Sequence, residues 1–124
     1  MEKNKILLIE DDKFISRAYS DGLTRAGLEV SVAEDGAVGL EKMKSEKPDL
    51  VLLDLIMPVK DGFDVLTEVK DDNQFKETIF VVLSNLGQEV DIEKAKQLGA
   101  DDYLIKSDIS MGEVIQKVKS LLKN

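Results

Sequence analysis

"VLLDLIMPVKDG", residues 51–62, sets an aspartate directly behind an apolar run and then continues with Leu55, Ile56, Met57 and Pro58. Val51, Leu52 and Leu53 are continuously rather than alternately hydrophobic, the pattern of a strand covered on both faces. A carboxylate at Asp54 is costly in such surroundings unless a partner compensates its charge.

Working outward, runs of the same kind recur at "KILLIE" (5–10), "LEVSVA" (28–33), "DLVLLD" (49–54), "TIFVVLS" (78–84) and "DYLI" (102–105). Their length and β-branched or aromatic content predict strands. The intervening segments have helical spacing. Ile15, Ala18, Tyr19, Gly22, Leu23 and Ala26 share one face; Ala37, Leu40 and Met43 do so more weakly. Phe63, Leu66 and Val69 mark a third helix, and Ile92, Ala95 and Leu98 a fourth. Met111, Val114, Ile115, Val118, Leu121 and Leu122 form the clearest stripe. Gly27, Pro48 and Gly99 supply stops. Strand and helix thus alternate five times, which predicts an α/β fold, (βα)5, with a parallel sheet covered by helices on both faces and right-handed connections.

The chain has 124 residues, the size of one domain, with 43% hydrophobic and 34% charged residues. Its formal charge of −8 disfavours direct contact with nucleic acid or anionic lipid, both of which call for clustered cations. Lys117, Lys119 and Lys123 fall where a helix C-terminus attracts cations. With neither cysteine nor histidine in the chain, thiol and imidazole chemistry is excluded, and any phosphohistidine must belong to another molecule. No apolar run is long enough for a signal peptide or membrane span, and a cytoplasmic location is expected.

Open doubly wound sheets bind ligands beyond the carboxyl ends of their strands. There the first strand delivers Glu10, Asp11 and Asp12, the third Asp54, the fourth Ser84 and Asn85, and the fifth Lys106 and Ser107. Asp12 reads as the N-cap of the first helix, and Asp61-Gly62 as turn chemistry, with glycine available for a positive φ. If Glu10, Asp11 and Asp54 meet, repulsion raises at least one carboxyl pKa, and a divalent cation relieves it. All-oxygen donors in small number suit Mg²⁺, which typically serves phosphate chemistry. Lys106 then meets phosphoryl charge, Ser84 offers a hydroxyl, and Asp54 is a nucleophile able to form an acyl phosphate. Neither GxxxxGK[ST] nor, after the first strand, GxGxxG is present, which argues against nucleotide binding.

"ILLIED", "VLLDLIMPVKDG", "VVLSN" and "GADDYLIK", in that order, resemble the receiver domain of two-component response regulators, of the chemotaxis-regulator type. The resemblance covers essentially the whole chain, residues 1–124, and implies a flavodoxin-like sheet of order 2-1-3-4-5. It implies Asp54 as phosphoacceptor, Glu10 and Asp11 as the acidic pair binding Mg²⁺ with Asp54, and the backbone carbonyl of Ile56 as a further metal ligand. Ser84 corresponds to the switch hydroxyl, Lys106 to the phosphate-contacting lysine and Tyr103 to the aromatic that changes rotamer. The implied partners are a histidine kinase or histidine phosphotransfer protein and a downstream protein, met by the fourth helix, fifth strand and fifth helix. The implied assembly is a monomer or weak homodimer. Because the chain stops after its fifth helix, contact with another protein is the expected output, the alternative being a receiver excised from a longer chain.

The chain departs from the family pattern in places. Ser107 stands where proline with a cis bond is usual, and a cis non-proline bond costs about 3–4 kcal/mol, so a different loop is expected. Asn85 is bulkier than the usual small residue and narrows access for small phosphodonors. Ile56 and Leu86, both apolar, are expected to hinder an attacking water. The competing reading is a magnesium phosphohydrolase of the haloacid dehalogenase kind. Such enzymes carry a general-acid aspartate two residues after the nucleophile, where this chain has Ile56. Turnover of external substrates is therefore not expected.

Overall fold

The computed structural model describes residues 3–123. Five strands, β1 (Lys5–Ile9), β2 (Glu29–Ala33), β3 (Leu50–Leu53), β4 (Ile79–Ser84) and β5 (Asp102–Ile105), form one parallel sheet of order β2-β1-β3-β4-β5. Helices α1 (Lys13–Arg25), α2 (Gly36–Glu46), α3 (Gly62–Val69), α4 (Glu89–Gln97) and α5 (Met111–Leu122) follow the strands in turn. This is the flavodoxin-like (βα)5 fold that the alternating pattern and the resemblance imply.

Successive strand residues feed two separate cores, which explains the unbroken hydrophobic runs. Leu7, Ile9, Val51, Leu53, Phe80 and Val82 pack with α2, α3 and α4 on one face. Ile6, Leu8, Leu50, Leu52, Val81 and Leu83 pack with α1 and α5 on the other. Each fully buried aliphatic side chain contributes about 1.5–3 kcal/mol. That burial locks the register, because a slip of one residue exchanges the two faces.

Local chemistry closes the helices, with Asp12, Gly27 and Gly99 acting as read and two capping boxes added by the structure. Asp12 accepts from the Phe14 and Ile15 N–H groups at 2.9 and 3.0 Å. Capping boxes open α3 (Asp61 with Asp64) and α5 (Ser110 with Glu113). Gly27 and Gly99 adopt positive φ of 95° and 106° just past α1 and α4. Ala18, expected on the inner stripe of α1, is instead exposed. The face turned inward carries Ser16 and Leu23 as its buried residues, with Tyr19 packed against the core. No helix among the described residues is long and apolar enough to cross a membrane.

Gly62 does not take the positive φ that its sequence context permits. Its constraint is proximity. A Cβ there would collide with the Asp54 carbonyl oxygen and lie 2.8 and 2.9 Å from Leu55 Cδ2 and Cα. Gly62→Ala is therefore expected to destabilise the protein by about 1–3 kcal/mol through overpacking. Gly112→Ala, whose nearest neighbour is Ser110 Oγ at 4.0 Å, should be neutral or stabilising. Chemical denaturation of the two variants checks the contrast.

Candidate functional site

Register decides which carboxylates meet. Ile9 pairs with Leu53 across β1 and β3, so Glu10 and Asp54, the next residues on each chain, leave the sheet side by side. The backbone remains tied just past the strands, with Asp54 N–H donating to the Ile9 carbonyl and Glu10 N–H to that of Ala33, both at 3.0 Å. Asp54 is only 7% exposed and Glu10 3%. Asp11 is exposed, and carboxylate oxygens of Glu10, Asp11 and Asp54 all lie within 4.8 Å of one another.

Lys106 supplies the opposing charge. Although β4 lies between β5 and β3, the long side chain crosses the sheet edge to donate to both Asp54 Oδ2, at 3.1 Å, and Glu10 Oε1. Glu10 is held further by the Asp12 N–H, which donates to Oε2 at 3.1 Å. Burial pushes the Glu10 carboxyl above its ordinary range. Bonds from Lys106 and Asp12 oppose this, while the Asp54 charge adds to it. Burial also works against the Lys106 ammonium, but its bond to Glu10 and the nearby Asp54 and Glu10 charges outweigh that, leaving its pKa raised.

Ile56 stands two residues beyond Asp54 and is 61% exposed, and its N–H donates to Asp54 Oδ1 at 3.3 Å. The turn carrying the Ile56 carbonyl is thus anchored on Asp54 itself. Val59 in the same loop has φ of 67°, uncommon for a β-branched residue, and Lys60 N–H donates to the Pro58 carbonyl across it at 2.8 Å. The donor set fits a small hard cation: three carboxylates converge and no nitrogen or sulfur ligand is present in the cluster.

Ser84 ends β4 at 1% exposure, and its Oγ accepts from the Leu86 N–H at 3.3 Å. Acting there as acceptor, it keeps its O–H available to donate. Tyr103, half-buried, packs against the core and donates its hydroxyl to the Leu86 carbonyl. Leu86 thereby joins the serine and the tyrosine through its own two peptide groups. Burial, with the Asp91 and Asp54 charges, pushes the Tyr103 hydroxyl to about 12, so it remains a donor at neutral pH.

Glu10, Asp11, Asp54, Ile56, Ser84 and Lys106 lie at the carboxyl edge of the sheet or on the loops next to it, whereas Tyr103 lies within β5, paired with Val82, and reaches the site through its hydroxyl on Leu86. Two features escape sequence reading. One is the close approach of Gly62 to Asp54. The other is a bond between Asn85 and Ser107, whose N–H donates to Asn85 Oδ1 at 3.0 Å. Residues 106–108 form a 3₁₀ turn, and all peptide bonds among the described residues, including the one before Ser107, are trans.

A doubly wound sheet with an acid-and-lysine pocket at its switch point is a class that known proteins delimit further. A family model for the response regulator receiver domain matches residues 6–119, and the chain belongs to that family of signalling switches in two-component systems. It is 37% identical over 119 residues to the DNA-binding dual master transcriptional regulator RpaA of Synechocystis sp., covering 96% of this chain and 49% of that protein. Against the transcriptional regulatory protein CpxR of Klebsiella pneumoniae the identity is 36%, covering 97% and 50%. The chain thus spans about half the length of these curated relatives. Among solved structures it resembles the Francisella response regulator 1452 receiver domain, with a TM-score of 0.89 and 30% identity over 98% of each chain. Chemotaxis protein CheY4 of Vibrio cholerae matches with a TM-score of 0.89 and 27% identity, covering 96% of this chain and 98% of that one.

A carboxyl whose pKa is raised on folding favours the folded state below its unfolded pKa, and the contribution is lost as pH rises through the folded value. Glu10→Gln is therefore expected to raise the thermal unfolding midpoint at pH 7 in metal-free buffer. The gain over wild type should shrink as the pH falls through the raised folded value and be gone below about 4.3, where glutamate is protonated even in the unfolded chain. Calorimetry across that range checks the sign.

Proposed function

We propose that this protein is a receiver switch in which an Asp54 carboxylate oxygen attacks the phosphorus of a phosphohistidine on a histidine kinase or histidine phosphotransfer protein. The donor P–N bond breaks as the Asp54 O–P bond forms, and the imidazole nitrogen leaves with the electron pair. The observation that carries this reading is the buried Asp54 carboxylate held at 3.1 Å by the Lys106 ammonium.

Asp54 is the phosphoacceptor. Glu10, Asp11, Asp54 and the Ile56 carbonyl are the residues that would hold Mg²⁺, which supplies charge neutralisation for phosphoryl transfer. Lys106 moves from balancing Asp54 to meeting phosphoryl oxygen. Ser84 turns its O–H to the same group, drawing on the Leu86 loop, and Tyr103 follows because its hydroxyl rests on the Leu86 carbonyl. Charge-assisted bonds from Ser84 and Lys106 contribute roughly 1.5–3 kcal/mol each. Together they approach the 5.5 kcal/mol or so that carries a two-state equilibrium from 1:99 to 99:1.

The output is contact with a downstream protein through α4, β5 and α5. Ala95 is the buried residue of α4, and the N-cap Gln88 makes no side-chain bond, so this helix is lightly attached and suited to shift. Two of the relatives are named as transcriptional regulators. This receiver unit, within a chain of formal charge −8, is assigned no direct nucleic-acid contact. The proposal also places it in the cytoplasm, as a monomer or weak homodimer.

Incubation with Mg²⁺ and either acetyl phosphate or a phosphohistidine donor should yield a hydroxylamine-labile acyl phosphate, absent from Asp54→Asn. Wild-type protein with no such adduct from either donor would sink the reading. Ile56, exposed and two residues past Asp54, should slow hydrolysis, so Ile56→Asn is expected to shorten the phosphorylated lifetime several-fold. Equal decay of the two proteins would remove that role.

A further inference from the structure

The lysine that serves the pocket stands on a turn with little support of its own. Lys106–Asp108 is a single 3₁₀ turn whose N-cap, Ile105, offers no side-chain hydrogen bond. The first N–H groups of such a turn lack partners within it. One of them, the Ser107 N–H, is satisfied from outside, by Asn85 Oδ1 at 3.0 Å across 22 residues of sequence.

The two partners are placed tellingly. Asn85 directly follows Ser84, and Ser107 directly follows Lys106, while Ser84 and Ile105 are register partners across β4 and β5. The bond therefore closes the gap between neighbouring strands immediately beyond their last paired residues, next to both groups that reach for phosphate. We propose that Asn85 is a positioning residue for phosphoryl capture, capping the Lys106–Asp108 turn in trans so that the Lys106 ammonium is held over Asp54. The inference rests on the assignment of Lys106 as the phosphate-contacting lysine.

Only a side chain with an acceptor at this reach can perform the role, and only a residue with an N–H at position 107 can receive it. The lysine has many rotatable bonds and must span the end of β4 to reach Asp54. Fixing its backbone removes part of the entropy that it would otherwise lose on binding. The same bond makes the serine and lysine loops move together when a phosphoryl group draws them in.

The test is the equilibrium affinity for beryllium fluoride at saturating Mg²⁺, which is insensitive to how easily a small donor enters past Asn85. Asn85→Ala and Ser107→Pro should each weaken it about threefold to tenfold, the worth of one hydrogen bond. The double variant should be no weaker than either single one. Ser107→Ala retains the N–H and should recover the affinity lost in Ser107→Pro. In Asn85→Ala the Ser107 amide should lose its exchange protection, with Mg²⁺ affinity and unfolding midpoint held. If Ser107→Pro fails to fold, Asn85→Ala and its Ser107 amide signal decide alone. Undiminished beryllium fluoride affinity in Asn85→Ala, additive losses, or a parallel fall in Mg²⁺ affinity would overturn the positioning role while leaving the switch reading intact. Wild-type protein that binds no beryllium fluoride at Asp54 would overturn both.

Discussion

The Lys106 ammonium lies between two carboxylates that the sheet forces together. Ile9 and Leu53 are register partners, so Glu10 and Asp54 must emerge side by side, buried and alike in charge. A cation from two strands away makes the arrangement tolerable. It does not make it comfortable, since the Glu10 pKa stays raised despite the lysine. The pocket is held in a state that further positive charge improves, and a site maintained at some cost to stability is what a ligand-responsive protein requires.

The same geometry links the pocket to the surface. Leu86 donates its N–H to Ser84 and accepts the Tyr103 hydroxyl at its carbonyl, so the serine and the tyrosine are joined through a single residue. Beyond that loop, α4 is anchored chiefly by Ala95 and by Lys94, whose ammonium sits 4.3 Å from the centre of the Phe63 ring on α3. These are weak attachments, suited to rearrangement, whereas Ile6–Ile9 of β1 and all of β3 are almost wholly buried. Deeply buried strands hold the pocket residues, and α4 is the more loosely attached element.

Several features were legible because they are local. Continuous apolar runs identified strands buried on two faces, Asp12 was readable as a cap, and Gly27 and Gly99 as stops. The limits were also physical. Periodicity assigned Ala18 to the inner stripe of α1, yet a small side chain carries little weight in orienting a helix, and Leu23 and Tyr19 set the rotation. Gly62 was readable as a turn residue, but its requirement comes from the Asp54 carbonyl lying against it. Asn85 looked only like a bulky neighbour of Ser84, because its partner is 22 residues away.

From the amino-acid order alone came the alternation of strand and helix, the inventory of oxygen donors without histidine or cysteine, the apolar surroundings that singled out Asp54, and the family resemblance that implied its role. These depend on side-chain chemistry and on periods of two and 3.6 residues, which a short stretch carries within itself. What Asp54 meets was decided by the folded chain. Glu10 and Lys106, 96 residues apart, reach each other only because β1 and β3 are neighbours and Lys106 spans the end of β4. Strand adjacency, and with it the charge balance of the pocket, follows from packing both faces of the sheet at once, which no local stretch of sequence encodes.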